Sequence, residues 1–280
     1  MSDVTAAEAQ AVLPSIEIPS CPSVLIQLNK LLSVDEVDFR AVSSKIMGDV
    51  GLAATVLKIA NSSAMGLPSK VSTIQQALSV LGVSRVMSLV NGIVLRQVLA
   101  GGHDSMERFW DASSKRAMLM SRLSRSFPGI TSDIAYTFGL FMDCGIAVLI
   151  QKFPTYKQTL AIANETADRR FTAIEEAAHQ INHASVGYWL ARSWHLEKDL
   201  TDAIRFHHEY EVLADEQSAL SPRTRHLVAF GLLSEHLIQC ITGMNRTVEW
   251  AKGAPFVKSY LGLTDAEIAE LVLEAREFFD

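Results

Sequence analysis

The 280-residue sequence has few cysteines and no clustered basic residues. Its three cysteines, Cys21, Cys144 and Cys240, are odd in number, far apart and outside any Cys-x-x-Cys spacing, which argues against a disulfide framework and a zinc knuckle. The net charge is −6, and no basic run interleaves with aromatic residues, so the electrostatic pattern of a nucleic-acid-binding protein is missing. We therefore expect reduced thiols and no nucleic-acid partner.

Membrane and export signals are missing as well. No uninterrupted apolar run approaches the roughly 18 residues that a bilayer span requires. The acidic, alanine-rich stretch at residues 1–10 lacks the basic and apolar regions of a secretory signal. The sequence thus predicts a cytoplasmic protein without membrane insertion.

Sequence motifs of nucleotide-binding proteins and of α/β-hydrolases are also missing. The sequence contains no Gly-x-Gly-x-x-Gly, no Walker loop and no Gly-x-Ser-x-Gly. Dehydrogenase, kinase and hydrolase-fold functions therefore have no support from motifs, and no sequence feature supports binding of a nucleotide second messenger.

What the sequence does contain is an excess of apolar residues at helical spacing. Apolar residues make up 49% of the chain, and no stretch alternates apolar and polar residues as a strand would. The spacing predicts an all-α protein whose helices include 45–60, 134–153, 183–194 and 200–208. A last helix is predicted to open at Thr264, because Thr264 and Glu267 have the spacing of a capping box.

The segment 139–145 is the most informative part of the sequence, because it places Asp143 within an apolar predicted helix. A His-Asp pair at such a position is typical of metal-dependent phosphohydrolases. Here residue 142 is a methionine, whose thioether is a poor ligand for the hard cations that hydrolyse phosphate esters. The pattern indicates a metal centre that has lost ligands.

Three motifs taken together resemble the HDOD family, the HD-related output domains of bacterial signalling proteins. They are Leu-x-x-Ala-Asn-Ser at 57–62, Gly-Leu-x-x-Asp-x-Gly at 139–145 and the doublet His207-His208. The sequence departs from the family at Val50, where proline is frequent, and at Met142, where histidine is common.

The resemblance covers about residues 13 to 240 and implies a multi-helix, HD-like bundle. Within this fold we expect a flexible tail at 1–12, an N-terminal helical subdomain at 13–105 and an HD-like subdomain with the C-terminal helices at 106–280.

Carried over from active HD proteins, the metal ligands fall near Ala112, on Met142-Asp143 and near Gly231. Only Asp143 is an acid or a histidine among these four positions. A metal that activates water needs about three protein ligands, and one carboxylate with distant histidines does not obviously supply them. The sequence thus predicts a protein without bound metal, cofactor or catalytic activity.

A carboxylate in this apolar setting still needs partners. We expect Asp143 to bond to His183 or to one of His207 and His208, in a metal-free network that fixes helix packing. Because adjacent residues on a helix point about 100° apart, only one histidine of the doublet is expected to face the site. The alternatives are a retained metal or nucleotide site and plain solvent exposure.

The motif around Asn61 allows a structural and a functional interpretation. Asn61 is predicted to close helix 45–60 by bonding to exposed carbonyl groups. Alternatively, Asn61, Ser62 and Ser63 form part of a partner or ligand surface.

These features predict a non-catalytic bacterial signal-transduction or regulatory module that contacts other signalling proteins in trans. The alternative is a metal-dependent phosphohydrolase or nucleotide-binding protein with a reorganised site at Asp143, His183, His207 and His208. Retained metal together with phosphatase activity would separate the two.

Overall fold

The computed structural model describes residues 16–100, 106–215, 217–243 and 246–279. In these ranges the chain forms α-helices and short 3-10 turns without any β-strand, which confirms the predicted all-α class. It divides into two compact units, Ser20–Ala100 and a larger unit of Gly101–Asp280 with the segment that ends at Pro19. The predicted tail at 1–12 lies outside the described residues.

The smaller unit is a bundle of five helices within its described residues. Its core consists mainly of leucine, isoleucine and valine side chains at helical spacing, such as Val42, Ile46, Leu52 and Val56. The helices are α1 (Ser23–Leu32), α2 (Phe39–Met47), α3 (Val50–Ala60), α4 (Ile74–Leu81) and α5 (Val83–Leu99).

The predicted single helix 45–60 is wrong, because the chain breaks after Met47. Asp49 adopts an extended backbone conformation, and its carboxylate accepts a hydrogen bond from the Leu52 amide at 2.9 Å. This N-cap satisfies an amide that a new helix would otherwise leave unpaired. Periodicity continues across the break, since Ile46 and Leu52 are both buried, so the pattern of apolar residues does not reveal it.

The larger unit carries all the candidate ligands of the HD-like half. Helix α6 packs against α7, α11 packs against α8 and α12, and α13 packs against α6, α12 and α14. The helices are α6 (Glu107–Leu123), α7 (Ser132–Phe141), α8 (Cys144–Lys152), α9 (Tyr156–Glu165), α10 (Phe171–His179), α11 (His183–Ser193), α12 (Lys198–Phe206), α13 (Pro222–Thr242), α14 (Glu249–Leu261) and α15 (Asp265–Phe279).

The last helix of the larger unit begins where the sequence predicted it. Thr264 precedes α15, its amide donates to Glu267 at 2.8 Å, and the Glu267 amide donates to the Thr264 hydroxyl at 3.3 Å. The predicted capping box is confirmed.

The predicted helix 134–153 is also wrong, because it ends at Phe141 and restarts at Cys144. Asp143 therefore lies at the junction of α7 and α8, with φ −104° and ψ 12°. The adjoining Gly145 packs directly on α11, where an added Cβ would lie 2.0 Å from the His183 carbonyl oxygen. This close approach brings the first turn of α8 against the residue that starts α11.

The segment Ser132–Lys152, which contains α7 and α8, is long and apolar enough to cross a membrane by length and composition. Its most apolar window is nevertheless 78% buried inside the protein. Burial against other helices is what a core segment requires, whereas a lipid-facing helix exposes its apolar surface.

The first described residues belong with the larger unit rather than with the subdomain predicted at 13–105. The Trp194 indole donates a hydrogen bond to the Pro19 carbonyl at 3.0 Å. Trp194 is 1% exposed, so this contact attaches the segment to the core of the larger unit.

Candidate functional site

Three chain segments of the larger unit bring four potential metal ligands together. Asp143 lies at the junction of α7 and α8, His183 is the first residue of α11, and His207 and His208 follow the last residue of α12. One nitrogen or oxygen atom of each side chain lies within 4.8 Å of the others. All three histidines are buried.

Both histidines of the doublet face this site, contrary to the expectation that only one would. The Nε2 atom of His183 lies 3.1 Å from Nε2 of His207 and 3.2 Å from Nε2 of His208. The prediction assumed a helix over 200–208, but α12 ends at Phe206. Outside a helix the angle of about 100° between neighbouring side chains no longer applies.

The other ring nitrogen of each histidine has its own acceptor. Nδ1 of His183 lies 2.8 Å from a Glu175 carboxylate oxygen, and Nδ1 of His208 lies 2.8 Å from a Glu249 oxygen. Nδ1 of His207 lies 2.7 Å from the backbone carbonyl oxygen of Ile204. Each Nδ1 therefore donates, so in the neutral rings three Nε2 lone pairs point into one small volume. That arrangement requires a proton or a cation between them.

The ionisation of these residues follows from burial and from the neighbouring acids. Burial and the adjacent His208 lower the pKa of His207 to about 4, which keeps this ring neutral near pH 7. Burial also opposes charge on His183, but the Glu175 carboxylate outweighs it and raises the pKa of His183. Against burial, hydrogen bonds from His208, Lys252 and Tyr210 lower the pKa of Glu249 to about 2.

The four donors lie close enough together to share a single cation, with separations of up to 4.8 Å. The Asp143 carboxylate oxygen lies 3.4 Å from Nε2 of His207 and 3.6 Å from Nε2 of His183. Four donors about 2.0 to 2.1 Å from a tetrahedral zinc ion would be about 3.3 Å apart. Acceptors that orient each imidazole through Nδ1 are also typical of metal-ligating histidines. The sequence led us to expect histidines distant from Asp143, and that expectation is wrong because the three rings lie beside the carboxylate.

The Arg116 guanidinium lies between the two acids at one side of the site. Nη1 of Arg116 lies 2.6 Å from Asp143 and 3.0 Å from Glu235, and its Nε donates to the Gly139 carbonyl at 3.0 Å. Burial raises the pKa of Asp143, but Arg116, His207 and His183 outweigh it and hold that pKa well below its usual range. Burial and the Asp143 charge raise the pKa of Glu235 to about 8, although Arg116 opposes the shift. The ion pair between Arg116 and Asp143 is therefore the charged contact at neutral pH.

Positions 112, 142 and 231, where active HD proteins would carry ligands, contribute no ligand here. Ala112 lines the cavity beside the site, Met142 is 1% exposed, and its sulfur would lie 3.0 Å from a Cβ added at Gly231. Met142 and Gly231 thus pack α7 against α13. The polar residues Arg116 and Glu235 lie one helical turn beyond Ala112 and Gly231.

The sequence identified the four donors but missed the residues that orient them. They are Arg116, Glu175, Tyr210 and Glu249, which are buried, and Glu235, which is half-buried. Their positions carry no motif. One signal was available for two of them. Arg116 and Glu235 each lie four residues, or one helical turn, after a position where active HD proteins carry a ligand, Ala112 and Gly231.

Asn61 serves the backbone of the smaller unit. Its side-chain amide donates to the Val71 carbonyl at 2.8 Å and its oxygen accepts from the Val71 amide at 2.8 Å. The Ser62 hydroxyl donates to the Ile59 carbonyl, whereas Ser63 is exposed. Two of the three side chains proposed as a partner surface therefore have internal bonds.

A cavity of about 250 Å³ adjoins three of the four donor residues. Asp143, His183 and His208 form one wall with Arg116 and Glu235, and apolar side chains form much of the remainder. The site is therefore accessible from a space that is large enough for a small molecule.

Sequence and structure comparisons identify relatives of this architecture. A protein of Treponema pallidum (strain Nichols), named only as uncharacterized, is 24% identical over 208 residues, which are 73% of this chain and 40% of that protein. The chain thus spans less than half the length of this relative.

Solved structures resemble the chain over nearly its whole length. An HDOD domain protein of unknown function from Geobacter sulfurreducens has a TM-score of 0.69 at 18% identity, covering 97% of this chain and 96% of that chain. A "Putative phosphohydrolase" from Shewanella amazonensis SB2B has a TM-score of 0.69 at 21% identity, covering 95% and 93%. A "Putative signal transduction protein" from Marinobacter aquaeolei VT8 has a TM-score of 0.68 at 20% identity, covering 100% and 66%. These likenesses concern the fold.

The family profile of the HDOD domain matches residues 18–210, which is more than half of the chain. The protein therefore belongs to the HDOD family.

Proposed function

We propose that this HDOD chain is a non-catalytic regulatory module of the cytoplasm that acts by binding another signalling protein in trans. The observation that carries the proposal is the Arg116 guanidinium, which is bonded to both acids beside the histidines, Asp143 and Glu235. A fixed cation between these carboxylates opposes a second metal ion there, and two metals clamping a phosphate would need that space.

The histidine side of the site supports the same conclusion. Three imidazoles and one carboxylate supply four donors, the number that a tetrahedral ion would take. Structural metal sites are closed in this way, whereas catalytic sites keep a position for water or substrate. A cation bound here would hold α8, α11 and the end of α12 together.

Exposed apolar side chains on the smaller unit support a protein partner. Val50 is 80% exposed and Met47 is 51% exposed, and the two flank the corner between α2 and α3. Neighbouring apolar side chains that together form an exposed patch are typical of surfaces that another protein covers. The description of the Marinobacter relative as a signal transduction protein agrees with this role.

The proposal is tested in two arms. First, hydrolysis of bis-p-nitrophenyl phosphate with manganese, iron or zinc should not exceed that of the Asp143→Asn variant. Second, capture from a lysate of the source cells should enrich a signalling protein with the parent chain, and the double variant Met47→Asp/Val50→Asp should lose it. Ile162→Asp is the control, because Ile162 is 55% exposed in the larger unit. Turnover that depends on Asp143 would refute the first arm, and equal capture by both variants would refute the second.

Metal-dependent phosphoester hydrolysis or nucleotide binding is the second candidate function, favoured by the convergence of the three Nε2 atoms. Asp143, His183, His207 and His208 would hold the ion, which when bound supplies Lewis-acid activation of water or of a phosphoryl oxygen. Arg116 would orient the Asp143 carboxylate, and Glu175 would fix the His183 ring.

Metal stoichiometry with turnover decides between the two functions. The protein is incubated with iron, manganese and zinc, desalted, and measured by elemental mass spectrometry. About one ion per chain without turnover indicates a structural cation, and an ion with turnover that is lost in His207→Ala supports the hydrolase. If almost no metal is bound, a proton on Nε2 of His183 would instead form the hydrogen bonds between the three imidazole rings.

A further inference from the structure

A chain of buried hydrogen bonds runs from Tyr156 through Glu175 to His183. The Tyr156 hydroxyl donates to Glu175, and a Glu175 oxygen lies 2.8 Å from Nδ1 of His183. The backbone amide of His183 donates to the same carboxylate at 3.3 Å. All three side chains are 0% exposed. Glu175 therefore fixes both the His183 ring and the residue that starts α11.

A second chain of the same type runs from Tyr210 through Glu249 to His208. The Tyr210 hydroxyl donates to Glu249 at 2.6 Å, and the same oxygen lies 2.8 Å from Nδ1 of His208. Lys252 donates to the other Glu249 oxygen at 2.6 Å. A carboxylate surrounded by donors can only accept, so Nδ1 of His208 carries a proton and its Nε2 is left to face the site.

The repetition distinguishes these two glutamates from acids that only fill a polar position in the core. Each bonds to the ring nitrogen that points away from the site, while the Nε2 atoms of His183 and His208 lie 3.2 Å apart. A carboxylate on Nδ1 fixes the orientation of an imidazole and makes its Nε2 a stronger donor to a cation. The two chains thus prepare both rings for the same ion.

We propose that Glu175 and Glu249 are the positioning residues of a site for one divalent cation of the zinc class. Tyr156 and Tyr210 hold the two carboxylates in place. Imidazole nitrogen suits zinc, copper, iron and nickel, whereas magnesium and calcium prefer oxygen ligands, and three of the four donors here are nitrogen. The inference rests on the proposed function only in the cation bound at the histidines, and it is independent of the protein partner.

The test measures cation affinity rather than turnover. The full-length chain is stripped with a chelator and titrated at pH 7 with Zn²⁺ against a chromophoric competitor, and in parallel with Co²⁺, whose visible absorption reports the ligands. The parent should bind about one Zn²⁺ per chain and bind it more tightly than Mg²⁺. Glu175→Gln and Glu249→Gln should each weaken Zn²⁺ binding by about 10- to 100-fold and shift the Co²⁺ absorption.

Two neighbouring acids provide matched controls. Glu176 follows Glu175 in α10 but accepts from Asn182, and Glu211 pairs with Arg170 at 3.3 Å on the surface. Glu176→Gln and Glu211→Gln therefore remove a carboxylate from the same parts of the fold without removing a partner of a histidine ring. We expect these variants to change the affinity by less than about threefold.

Tyr156→Phe and Tyr210→Phe keep both carboxylates and maintain the test if a glutamate variant does not fold. Each removes one hydrogen bond to a glutamate, so we expect a smaller loss of affinity, of about three- to tenfold.

Four results would overturn the proposal. The first is a lower unfolding temperature of the metal-free glutamate variants with unchanged Zn²⁺ affinity and Co²⁺ spectrum, which would make the glutamates packing residues. The second is an equal loss of affinity in Glu175→Gln and its control Glu176→Gln. The third is Mg²⁺ binding as tight as that of Zn²⁺. The fourth is a parent chain that binds no Zn²⁺, and it would leave the capture of a protein partner unaffected. Failed capture with the expected affinities would refute the protein partner alone and support the cation site.

Discussion

Replacement of Asp143 by alanine is expected to destabilise the protein without removing any activity. Asp143 is the charged partner of Arg116 at 2.6 Å, and the Arg116 side chain is 6% exposed. Loss of one partner from a buried ion pair typically costs about 3 to 5 kcal/mol, since the other charge stays buried.

Glu235 moderates this cost. Burial and the Asp143 charge both raise the pKa of Glu235 to about 8, so removal of Asp143 lets Glu235 ionise and pair with Arg116 at 3.0 Å. We therefore expect Asp143→Ala to lose about 3 kcal/mol of unfolding free energy, at the lower end of that range. Glu235→Gln removes an acid that is neutral at pH 7 and should cost at most about 1 kcal/mol.

The double variant Asp143→Ala/Glu235→Gln gives the sharper test. It removes the compensating carboxylate, so its loss should exceed the sum of the single losses by about 1 to 2 kcal/mol. Urea unfolding at pH 7 in the presence of a chelator measures all four proteins. If Asp143→Ala unfolds within about 0.5 kcal/mol of the parent, or if the two losses simply add, the coupling of Arg116 with both acids is refuted.

Three further predictions concern pH, a helix start and a close contact. The pKa of Glu235 in the folded protein is raised from 4.5 to about 8, so the folded state holds a proton that the unfolded state has released. The free energy of unfolding should therefore fall as the pH rises through that range, by at most about 1.4 kcal/mol per pH unit. Urea unfolding from pH 6 to 9 should show this decrease. Val50→Pro should stabilise by about 0.4 to 1 kcal/mol in thermal unfolding, because position 50 starts α3, is 80% exposed and follows the extended Asp49. Gly145→Ala should lose more than about 4 kcal/mol or fail to fold in circular-dichroism melts, since its Cβ would lie 2.0 Å from the His183 carbonyl oxygen.

Each of these predictions has a matched control. Glu235→Gln should flatten the dependence on pH, and an unchanged slope in that variant would assign it to another group. Val50→Ala lacks the fixed φ of proline and should not reproduce the gain. Gly51→Ala, at an exposed position within α3, should be neutral or stabilising by about 0.5 to 1 kcal/mol, so equal losses at both glycines would contradict the packing argument.

The helical class could be predicted because apolar residues at a period of 3.6 dominate the sequence. Helix ends were less predictable where tertiary contacts determine them. The apolar run 134–153 continues through Asp143, yet the chain breaks there as Gly145 packs on α11. Nothing in the local pattern distinguishes such a run from one long helix.

The sequence allowed part of the candidate site to be predicted. Asp143, His183 and the histidine doublet are rare residue types in apolar surroundings, which is why they were identified. Arg116 and Glu235 are common on solvated helix faces and lie 119 positions apart, so only the packing of α6 against α13 shows that they meet. A single sequence contains no signal for a pairing at that separation.

The position of Arg116, one helical turn beyond Ala112, also limits which single substitutions could create a second metal position. A histidine introduced at Ala112 would join a cavity wall beside the Arg116 guanidinium, which would repel any ion that the new ligand attracted. Removing Arg116 first would leave Asp143 buried without its partner. Neither single substitution therefore improves metal binding without a cost, so a second metal position could be built here only by changing both residues together.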